Sequence, residues 1–302
     1  SLTLDSLYTE TRARFAPELD GDRVTLDGRL LTGEEHARVV SVLDILRREH
    51  ELACAFEITS ENHVPTAAGL ASSASGMAAL ATAAGRLVGL DPARPEDATT
   101  LSRLARVGSG SGARSIYGGW VVWDGPAARP LAPPDHMPVA VVVAVVATGR
   151  KAIGSRDAMN HTALTSPYHG AWVAQAHATF DEAVDAVLRK DFPAVMHVME
   201  RSTWRMHAAA MAADPPVFYW QPGSVAVLRE VERMRAEGLP CGATLDAGPN
   251  VKVFCRPADA DSLAVRLTSI PGVGHIFRAT PGQGVVVHVD NSKGPATAEA
   301  GT

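Results

Sequence analysis

The chain has 302 residues, enough for one large domain or two medium ones, and its 46% hydrophobic and 20% charged residues are typical of soluble globular proteins. Lys and Arg total 28 against 33 Asp and Glu, so the formal net charge of −5 argues against nucleic acid or an anionic membrane as a partner. The longest apolar run, 139–147, is too short to cross a bilayer, and no signal peptide is recognisable. Three cysteines without a CxxC spacing favour a reduced, cytoplasmic protein.

The first part of the chain mixes strand and helix patterns. Alternating apolar residues predict strands, and apolar residues spaced by three and four predict helices. We expect Asp27-Gly28 to form a tight turn and Ser75 to cap a helix. The expected strands are 2–15, 23–26, 52–59 and 118–123, and the expected helices are 34–48, 75–88 and 95–107.

Five prolines between Gly125 and Pro138 make this segment the best candidate for a domain boundary. Beyond it, strands and helices follow one another without regular βαβ alternation, which predicts an α+β protein in two parts. We expect strands at 139–147, on both sides of a tight loop within 243–255, and at 284–289, and helices at 169–189, 192–213, 224–237 and 258–268. The last residues, 291–302, have the composition of a disordered tail.

The stretch GLASSASG, residues 69–76, combines small residues with the start of a helix. Backbone N–H groups and the helix dipole make such a place suitable for an anion, and serine hydroxyls can add donors or face Mg²⁺. A tight turn that packs one helix against another explains the small residues equally well. The stretch is neither a P-loop, which needs a lysine, nor a nucleophile elbow.

Two further loops carry positive charge. In GSGSGARS, Ser109 and Ser111 precede Arg114, whose planar guanidinium suits a carboxylate or a phosphate. A flexible connector is the alternative. In the segment 147–159, Lys151 and Arg156 lie near Ser155 after the buried strand, a candidate phosphate site whose alternative is a solvated turn.

Asp246 lies in a Gly-Pro loop between two apolar segments. A carboxylate there can orient or deprotonate a hydroxyl, although Asp is also common in such loops as an Asx-turn residue. The eleven histidines show no HExxH motif and no metal-ligand spacing. Phosphate donors, one arginine and one carboxylate together suit phosphoryl transfer to a hydroxyl of an anionic small molecule.

At these residues the chain resembles the diphosphomevalonate decarboxylase family of the GHMP kinase superfamily. The segments NHVPTAAGLASSASGMAAL, LSRLARVGSGSGARSIYGGW, GSRDAM…TSPY and DAGPNVKV match its motifs in order, and SLTLD matches a strand near its beginning. The resemblance implies a two-domain α+β fold, GHMP-kinase-like. Its N-terminal ATP-binding part, ribosomal S5 domain 2-like, would span 1–135 and its ferredoxin-like C-terminal part 136–290. It also implies a homodimer.

The reaction that the resemblance implies uses ATP and Mg²⁺. ATP phosphorylates the tertiary 3-hydroxyl of mevalonate 5-diphosphate, and loss of phosphate and CO₂ then yields isopentenyl diphosphate in the mevalonate pathway of isoprenoid biosynthesis. Phosphorylation makes sense chemically, because a tertiary hydroxide leaves poorly and phosphate leaves well.

The resemblance also implies residue roles. Asp246 would orient and deprotonate the 3-hydroxyl, and Arg114 would hold the substrate carboxylate beside Ser109 and Ser111. Lys151, Ser155 and Arg156 would receive the diphosphate. The residues that would cradle the ATP phosphates and Mg²⁺ are Gly69, Leu70, Ala71, Ser72, Ser73, Ser75 and Gly76, with Ser73 as the contact to the metal.

Three departures from the family pattern leave alternatives open. Relatives carry a segment resembling NIALIKYWGK ahead of SLTLD, and we expect such a segment to precede Ser1 in the complete protein. Gly112-Ala113 and Asn160-His161 stand where relatives often carry other residues, and the second pair could change contacts near the diphosphate. The alternatives are a mevalonate 5-phosphate decarboxylase, a mevalonate 3-kinase-like enzyme, which would tend to lack Asp246, and a non-catalytic ATP-binding homologue.

Overall fold

The computed structural model describes residues 1–63, 72–147, 153–289 and 297–301, and they divide into two compact units. The first unit holds the described residues up to Asp135 together with those from Pro281 onward, and the second holds those from His136 to Thr280. The division after Asp135 falls within the proline-rich segment. The return to the first unit at Pro281 differs from our expectation of a second domain that continues to residue 290.

The first unit is built on a six-stranded sheet with the order β11-β12-β1-β4-β2-β3. Neighbouring strands are antiparallel, except that β2 and β4 run parallel because helix α1 crosses between them. The strands are β1 Tyr8–Phe15, β2 Arg23–Leu26, β3 Arg29–Leu30, β4 Phe56–His63, β11 Val286–Val289 and β12 Thr297–Gly301, and the helix is α1 Gly33–Glu49. Asp27 and Gly28 form the turn between β2 and β3 with positive φ angles, as we predicted.

The core of this unit lies between the sheet and three helices. The other two helices are α2 Ser72–Leu87 and α3 Pro95–Gly108, followed by a 3₁₀ helix, Gly110–Ile116, and a small hairpin of β5 Trp120–Val122 and β6 Arg129–Ala132. Leu43 and Leu46 of α1 and Phe56 of β4 are fully buried in it. The alanines of α2 from Ala78 to Ala84 are buried as well, and their small size lets the helix lie close to its neighbours.

Three expectations for this unit were wrong. The first strand begins at Tyr8 rather than at residue 2, since Leu2 and Leu4 form only isolated bridges. The GSGSGARS segment is a 3₁₀ helix rather than a loop. Residues 297–301, expected in a disordered tail, form strand β12. Their backbone groups bond to β1 on one side and to β11 on the other, which a composition rich in small residues does not reveal.

The second unit contains a four-stranded antiparallel sheet with the order β10-β7-β9-β8. Its elements are β7 Ala140–Val145, α8 Pro222–Ala236, β8 Cys241–Leu245, β9 Val251–Cys255, α9 Ala260–Thr268 and β10 His275–Ala279. This βαββαβ order and pairing is ferredoxin-like, as predicted. Val227 of α8 and Leu263 of α9 are fully buried against Val142 on one face of the sheet.

Four helices lie between β7 and α8: α4 Ser155–Thr165, α5 His169–Ala174, α6 Ala176–Leu188 and α7 Phe192–Met211. We expected one helix over 169–189, but the chain breaks at Gln175. Helix α7 begins at the capping residue Asp191, whose side chain accepts a hydrogen bond from Ala194 N at 3.0 Å. It packs on the sheet face opposite α8 and α9, where a Cβ at Gly242 would lie 2.9 Å from Met196. Throughout the described residues we find no helix with the length and apolar character to span a membrane.

Candidate active site

Ser75 lies inside helix α2 rather than at its cap, because the helix begins at Ser72. The Ser75 hydroxyl is 2.8 Å from Oγ1 of Thr9, a fully buried residue of β1. Thr9 donates its own proton to Oδ1 of Asn62 at 3.0 Å, so Ser75 is the donor to Thr9. Ser75 therefore anchors the first turn of α2 to the sheet.

Asn62, near the end of β4, continues this hydrogen-bond relay to the turn between β2 and β3. Its backbone N–H and its Nδ2 donate to the carboxylate of Asp27 at 2.8 and 3.0 Å. The relay Ser75–Thr9–Asn62–Asp27 thus ends on a charged acceptor, the strongest kind. It connects the β2–β3 turn with the beginning of α2.

Three serine hydroxyls gather at the beginning of α2. Ser73 Oγ lies 3.4 Å from Ser109 Oγ, and Ser109 Oγ lies 3.2 Å from Ser111 Oγ. Ser109 follows the last residue of α3, so the two helix ends bring together hydroxyls that are far apart in the sequence. Neutral donors beside a helix N-terminus can bind phosphate oxygens without a charged side chain.

Glycines near this cluster divide into two kinds. A Cβ at Gly112 would lie 3.3 Å from the Ala74 carbonyl oxygen and 3.1 Å from that of Ala105, so packing against α2 and α3 requires this glycine. Close packing, rather than the flexible connector that we considered for this segment, therefore explains Gly112. A Cβ at Gly76 would meet no protein atom within 4 Å, although glycine weakens a helix. Gly76 lies three residues after Ser73 on the same face of α2, where the open space leaves room for a ligand.

Arg114 and Ser111 lie on the same face of the 3₁₀ helix, because side chains three residues apart eclipse one another in that geometry. Arg114 is partly buried, and its Nη1 donates to the Ser1 hydroxyl. The first unit thus brings together Ser73, Ser109 and Ser111, and it presents the Arg114 guanidinium from the same short helix.

In the second unit, Asp246 follows the last residue of β8, with its side chain 71% exposed. The Lys252 ammonium donates to Asp246 Oδ2 at 2.6 Å, and the Lys252 side chain is only 17% exposed. Our sequence reasoning did not single out Lys252. The signal was present in the alternation of the VKVFC strand, but the pairing of Lys252 with Thr244 across the hairpin is what brings the ammonium to Asp246.

The loop from Asp246 to Asn250 is fastened at several points. Oδ1 of the buried Asn250 accepts hydrogen bonds from Val146 N at 2.8 Å and Ala147 N at 3.2 Å. The hydroxyl of Ser224, in the first turn of α8, donates to Pro249 O at 2.6 Å. The carboxylate of Asp246 is therefore presented from a loop that is tied to β7 and α8.

His207, on α7, lies beneath the same strand end. It is 2% exposed, and its ring Nε2 is 3.3 Å from Leu245 O. Burial lowers the pKa of His207 below its ordinary value, an effect that the Leu245 carbonyl and the Asp246 carboxylate partly offset. At neutral pH the imidazole is therefore uncharged and donates to the Leu245 carbonyl.

Ser155 and Arg156 are exposed residues in the first turn of α4. His161, one of the two residues that depart from the family pattern in this helix, donates its Nε2 proton to Pro215 O at 2.8 Å and so holds α4 to a neighbouring loop. Lys151, Gly69, Leu70 and Ala71, also predicted for the site, lie outside the described residues.

Both parts of the chain match known protein domains. The profile of the diphosphomevalonate decarboxylase-like N-terminal domain matches residues 1–128, and that of the mevalonate 5-diphosphate decarboxylase C-terminal domain matches residues 141–283. The diphosphomevalonate decarboxylase of Candida albicans is 32% identical over 324 residues, covering 99% of this chain and 88% of the relative. The chain belongs to the diphosphomevalonate decarboxylase family. This confirms the resemblance carried by the sequence motifs.

Other diphosphomevalonate decarboxylases agree in sequence and in fold. The human enzyme is 33% identical over 84% of this chain and 68% of its own length. The crystal structure of the enzyme from Staphylococcus aureus is similar with a TM-score of 0.85 and 35% identity, over 94% of this chain and 87% of that one. A complex of MDDEF with MVAPP, AMPPCP and magnesium has a TM-score of 0.83 and 35% identity, over 94% and 88% of the two chains.

The residues at the start of α2 suit a metal ion that is held mainly by the phosphates of a bound nucleotide. Among the described residues, no group of three or more His, Cys, Asp or Glu side chains is placed to hold a metal ion. Mg²⁺ prefers oxygen ligands and commonly keeps several waters while binding to substrate phosphates. Ser73, with an exposed hydroxyl in the first turn of α2, fits as a single protein ligand to such an ion.

Proposed function

We propose that the protein catalyses the ATP- and Mg²⁺-dependent decarboxylation of mevalonate 5-diphosphate to isopentenyl diphosphate, ADP, phosphate and CO₂. The observation that carries the proposal is the Asp246 carboxylate, exposed on a fastened loop of a chain that belongs to the diphosphomevalonate decarboxylase family. A similar protein binds MVAPP, AMPPCP and magnesium together, which supports these ligands.

Asp246 has the central role in the first step. Its carboxylate takes the proton of the tertiary 3-hydroxyl, and that oxygen forms a bond to the terminal phosphorus of ATP while the bond from this phosphorus to ADP breaks. In the second step the 3-phosphate leaves with the electrons of the carbon–oxygen bond. The electrons of the carboxyl–carbon bond form the new double bond, and CO₂ is released.

The first unit supplies the groups for ATP and for the substrate carboxylate. We assign the phosphates of ATP to the start of α2, with Ser72, Ser73, Ser75 and Gly76 and the preceding Gly69, Leu70 and Ala71. Ser75 acts there through its bond to Thr9, and Ser73 is the one that we place on Mg²⁺. Arg114 receives the substrate carboxylate, and Ser109 and Ser111 donate beside it.

The diphosphate of the substrate is assigned to the second unit. Ser155 and Arg156 lie in the first turn of α4, where backbone N–H groups and the helix dipole favour negative charge. Lys151 precedes them in the sequence and adds a further cation. A net charge of −5 makes such a local gathering of positive groups necessary for an anionic substrate.

The test is turnover of the full-length protein with MgATP and mevalonate 5-diphosphate, measured as CO₂, ADP and phosphate. We expect the three products in equal amounts. ADP without CO₂ would instead favour a 3-kinase, and ATP binding without any product would favour the non-catalytic homologue. Faster turnover of mevalonate 5-phosphate than of the diphosphate would identify a monophosphate decarboxylase.

We also propose that the protein is a cytoplasmic homodimer that binds neither nucleic acid nor membranes. The acidic net charge supports the second part, because both of those partners are anionic. Sedimentation of the full-length protein tests the dimer, and a single species with the mass of one chain would exclude it.

A further inference from the structure

Lys252 lies at the reacting end of the second unit and has no role in the function proposed above. Its ammonium is 2.6 Å from Asp246 Oδ2, and its side chain is mostly buried on β9. The neighbouring Thr244 on β8 directs its hydroxyl to Thr203 of α7, at 2.8 Å. Because the Lys252 side chain is only 17% exposed, its stem is largely covered while its charged end reaches the carboxylate.

We propose that Lys252 is a positioning residue that holds the Asp246 carboxylate in the orientation in which it takes the proton of the 3-hydroxyl. The proposal rests on the proposed function and extends it to a residue outside the assigned site. A lysine anchored in a strand can restrict a carboxylate that is otherwise 71% exposed.

Charge supports the same role. The substrate carries a carboxylate and a diphosphate, and ATP carries a triphosphate, so their negative charge would push an unpaired Asp246 carboxylate away from the 3-hydroxyl that it must reach. The Lys252 ammonium, in contact with Asp246 Oδ2, opposes that repulsion at short range and so keeps the carboxylate in place. Because the ammonium contacts Asp246 and none of the residues that we assign to the charged groups of either substrate, Lys252 would affect the chemical step more than the binding of ATP or of mevalonate 5-diphosphate.

Replacing Lys252 by Met tests the proposal, because Met retains the apolar stem and removes the charge. We expect kcat to fall by about 100-fold, as for a misplaced catalytic group, with KM for ATP and for mevalonate 5-diphosphate changed by less than about threefold. ADP and CO₂ should fall equally, since Asp246 acts before the carbon–carbon bond breaks. Lys252→Arg retains the positive charge. Its kcat should be at least about tenfold higher than that of Lys252→Met.

Arg278→Met is the matched control. Arg278 is a residue of the same sheet and forms an ion pair with Asp261. It lies on β10, at the sheet edge opposite β8, the strand that Asp246 follows. This variant should keep the parental kcat. If Lys252→Met does not fold, Lys252→Gln, which retains a hydrogen-bond donor without the charge, gives the same test.

A parental kcat in folded Lys252→Met or Lys252→Gln would overturn the proposal. Equal losses in the Met and Arg variants, accompanied by a lower unfolding temperature, would show a structural role and overturn it too. ADP release without CO₂ in a Lys252 variant would place the residue in the later step, against the proposal. Absence of turnover in the parent protein would instead remove the proposed function itself.

Discussion

The hydroxyl of Ser75, in the first turn of α2, is hydrogen bonded at 2.8 Å to Thr9 of β1, which is 66 positions away in the chain. The bond joins the helix start to a fully buried residue of the sheet. The orientation of α2 toward ATP should therefore depend on a strand residue that no motif includes.

Thr9→Val keeps the shape of the side chain and removes its hydroxyl. Ser75 and Asn62 each lose a partner, and we expect the free energy of unfolding to fall by about 1–3 kcal/mol. The KM for ATP should rise by about fivefold or more. Thr11→Val is the control, because Thr11 is equally buried on the same strand but bonds to Ser60 of β4. It should lose stability without a change in KM, and an equal rise in KM for both variants would contradict this prediction.

Gly76→Ala adds a methyl group where no protein atom lies within 4 Å. We expect the helix to gain about 0.5–1 kcal/mol of stability, since Ala favours helix more than Gly does. The KM for ATP should nevertheless rise by about tenfold, because the methyl group occupies the space assigned to phosphates. In Gly85→Ala the added Cβ would lie 2.6 Å from Leu101, so that variant should be less stable with an unchanged KM. An unchanged KM in Gly76→Ala would remove the glycine from the site.

Asp246→Ala should lower kcat by about 10²- to 10⁴-fold, the range for loss of a catalytic base, while nucleotide binding survives. Product release and fluorescence titration with a nucleotide measure the two quantities. Asp261→Ala, which removes an exposed carboxylate of the same unit, should be neutral for both. Near-parental turnover in Asp246→Ala would exclude the aspartate from the mechanism.

Arg114→Ala should raise KM for mevalonate 5-diphosphate and lower turnover by about 100-fold, because the guanidinium is assigned to the substrate carboxylate. Arg114→Lys should recover little, since an ammonium lacks the planar pair of donors. Arg106→Ala is the control, because Arg106 stacks on Trp123 instead. Retained turnover in Arg114→Ala would contradict the assigned role.

The pKa of His207 is depressed by burial, which makes stability depend on pH. The unfolded protein takes up a proton near pH 6.5 while the folded protein resists it, so the free energy of unfolding should fall as pH drops below about 6.5. His207→Gln should weaken this decrease, measured by urea unfolding between about pH 7 and pH 5. His161→Gln, which replaces a half-buried histidine of another helix, should keep it. Identical pH profiles for the parent and His207→Gln would show that His207 does not contribute.

Much of the local structure could be predicted because it depends on neighbouring residues. The apolar spacing of Val39, Val42, Leu43 and Leu46 places α1 within two residues of its observed ends, and Pro95 begins α3 as its position at a helix start predicts. The apolar run 139–147 contains the fully buried β7. The apolar segments on either side likewise placed Asp246 in a tight loop between two strands, where the structure has it.

Interactions between segments that are distant in the chain could not be predicted from such local patterns. Strand β12 depends on backbone partners in β1 and β11, and small residues such as those of 297–301 carry no periodic pattern. Ser75 was expected to cap a helix, since serine favours that position, but its observed partner is Thr9. Lys252 had no visible role until the pairing of β8 with β9 was known.

The sequence by itself determined the family, the kinds of chemical groups in the site and the two-part α+β fold, because motifs and periodicity are properties of short segments. Only the tertiary structure decided which hydroxyls meet at the start of α2, which glycine is required by packing and which is open to a ligand, and which cation contacts Asp246. These depend on strand register and helix packing, in which a shift of one residue turns a side chain to the other face.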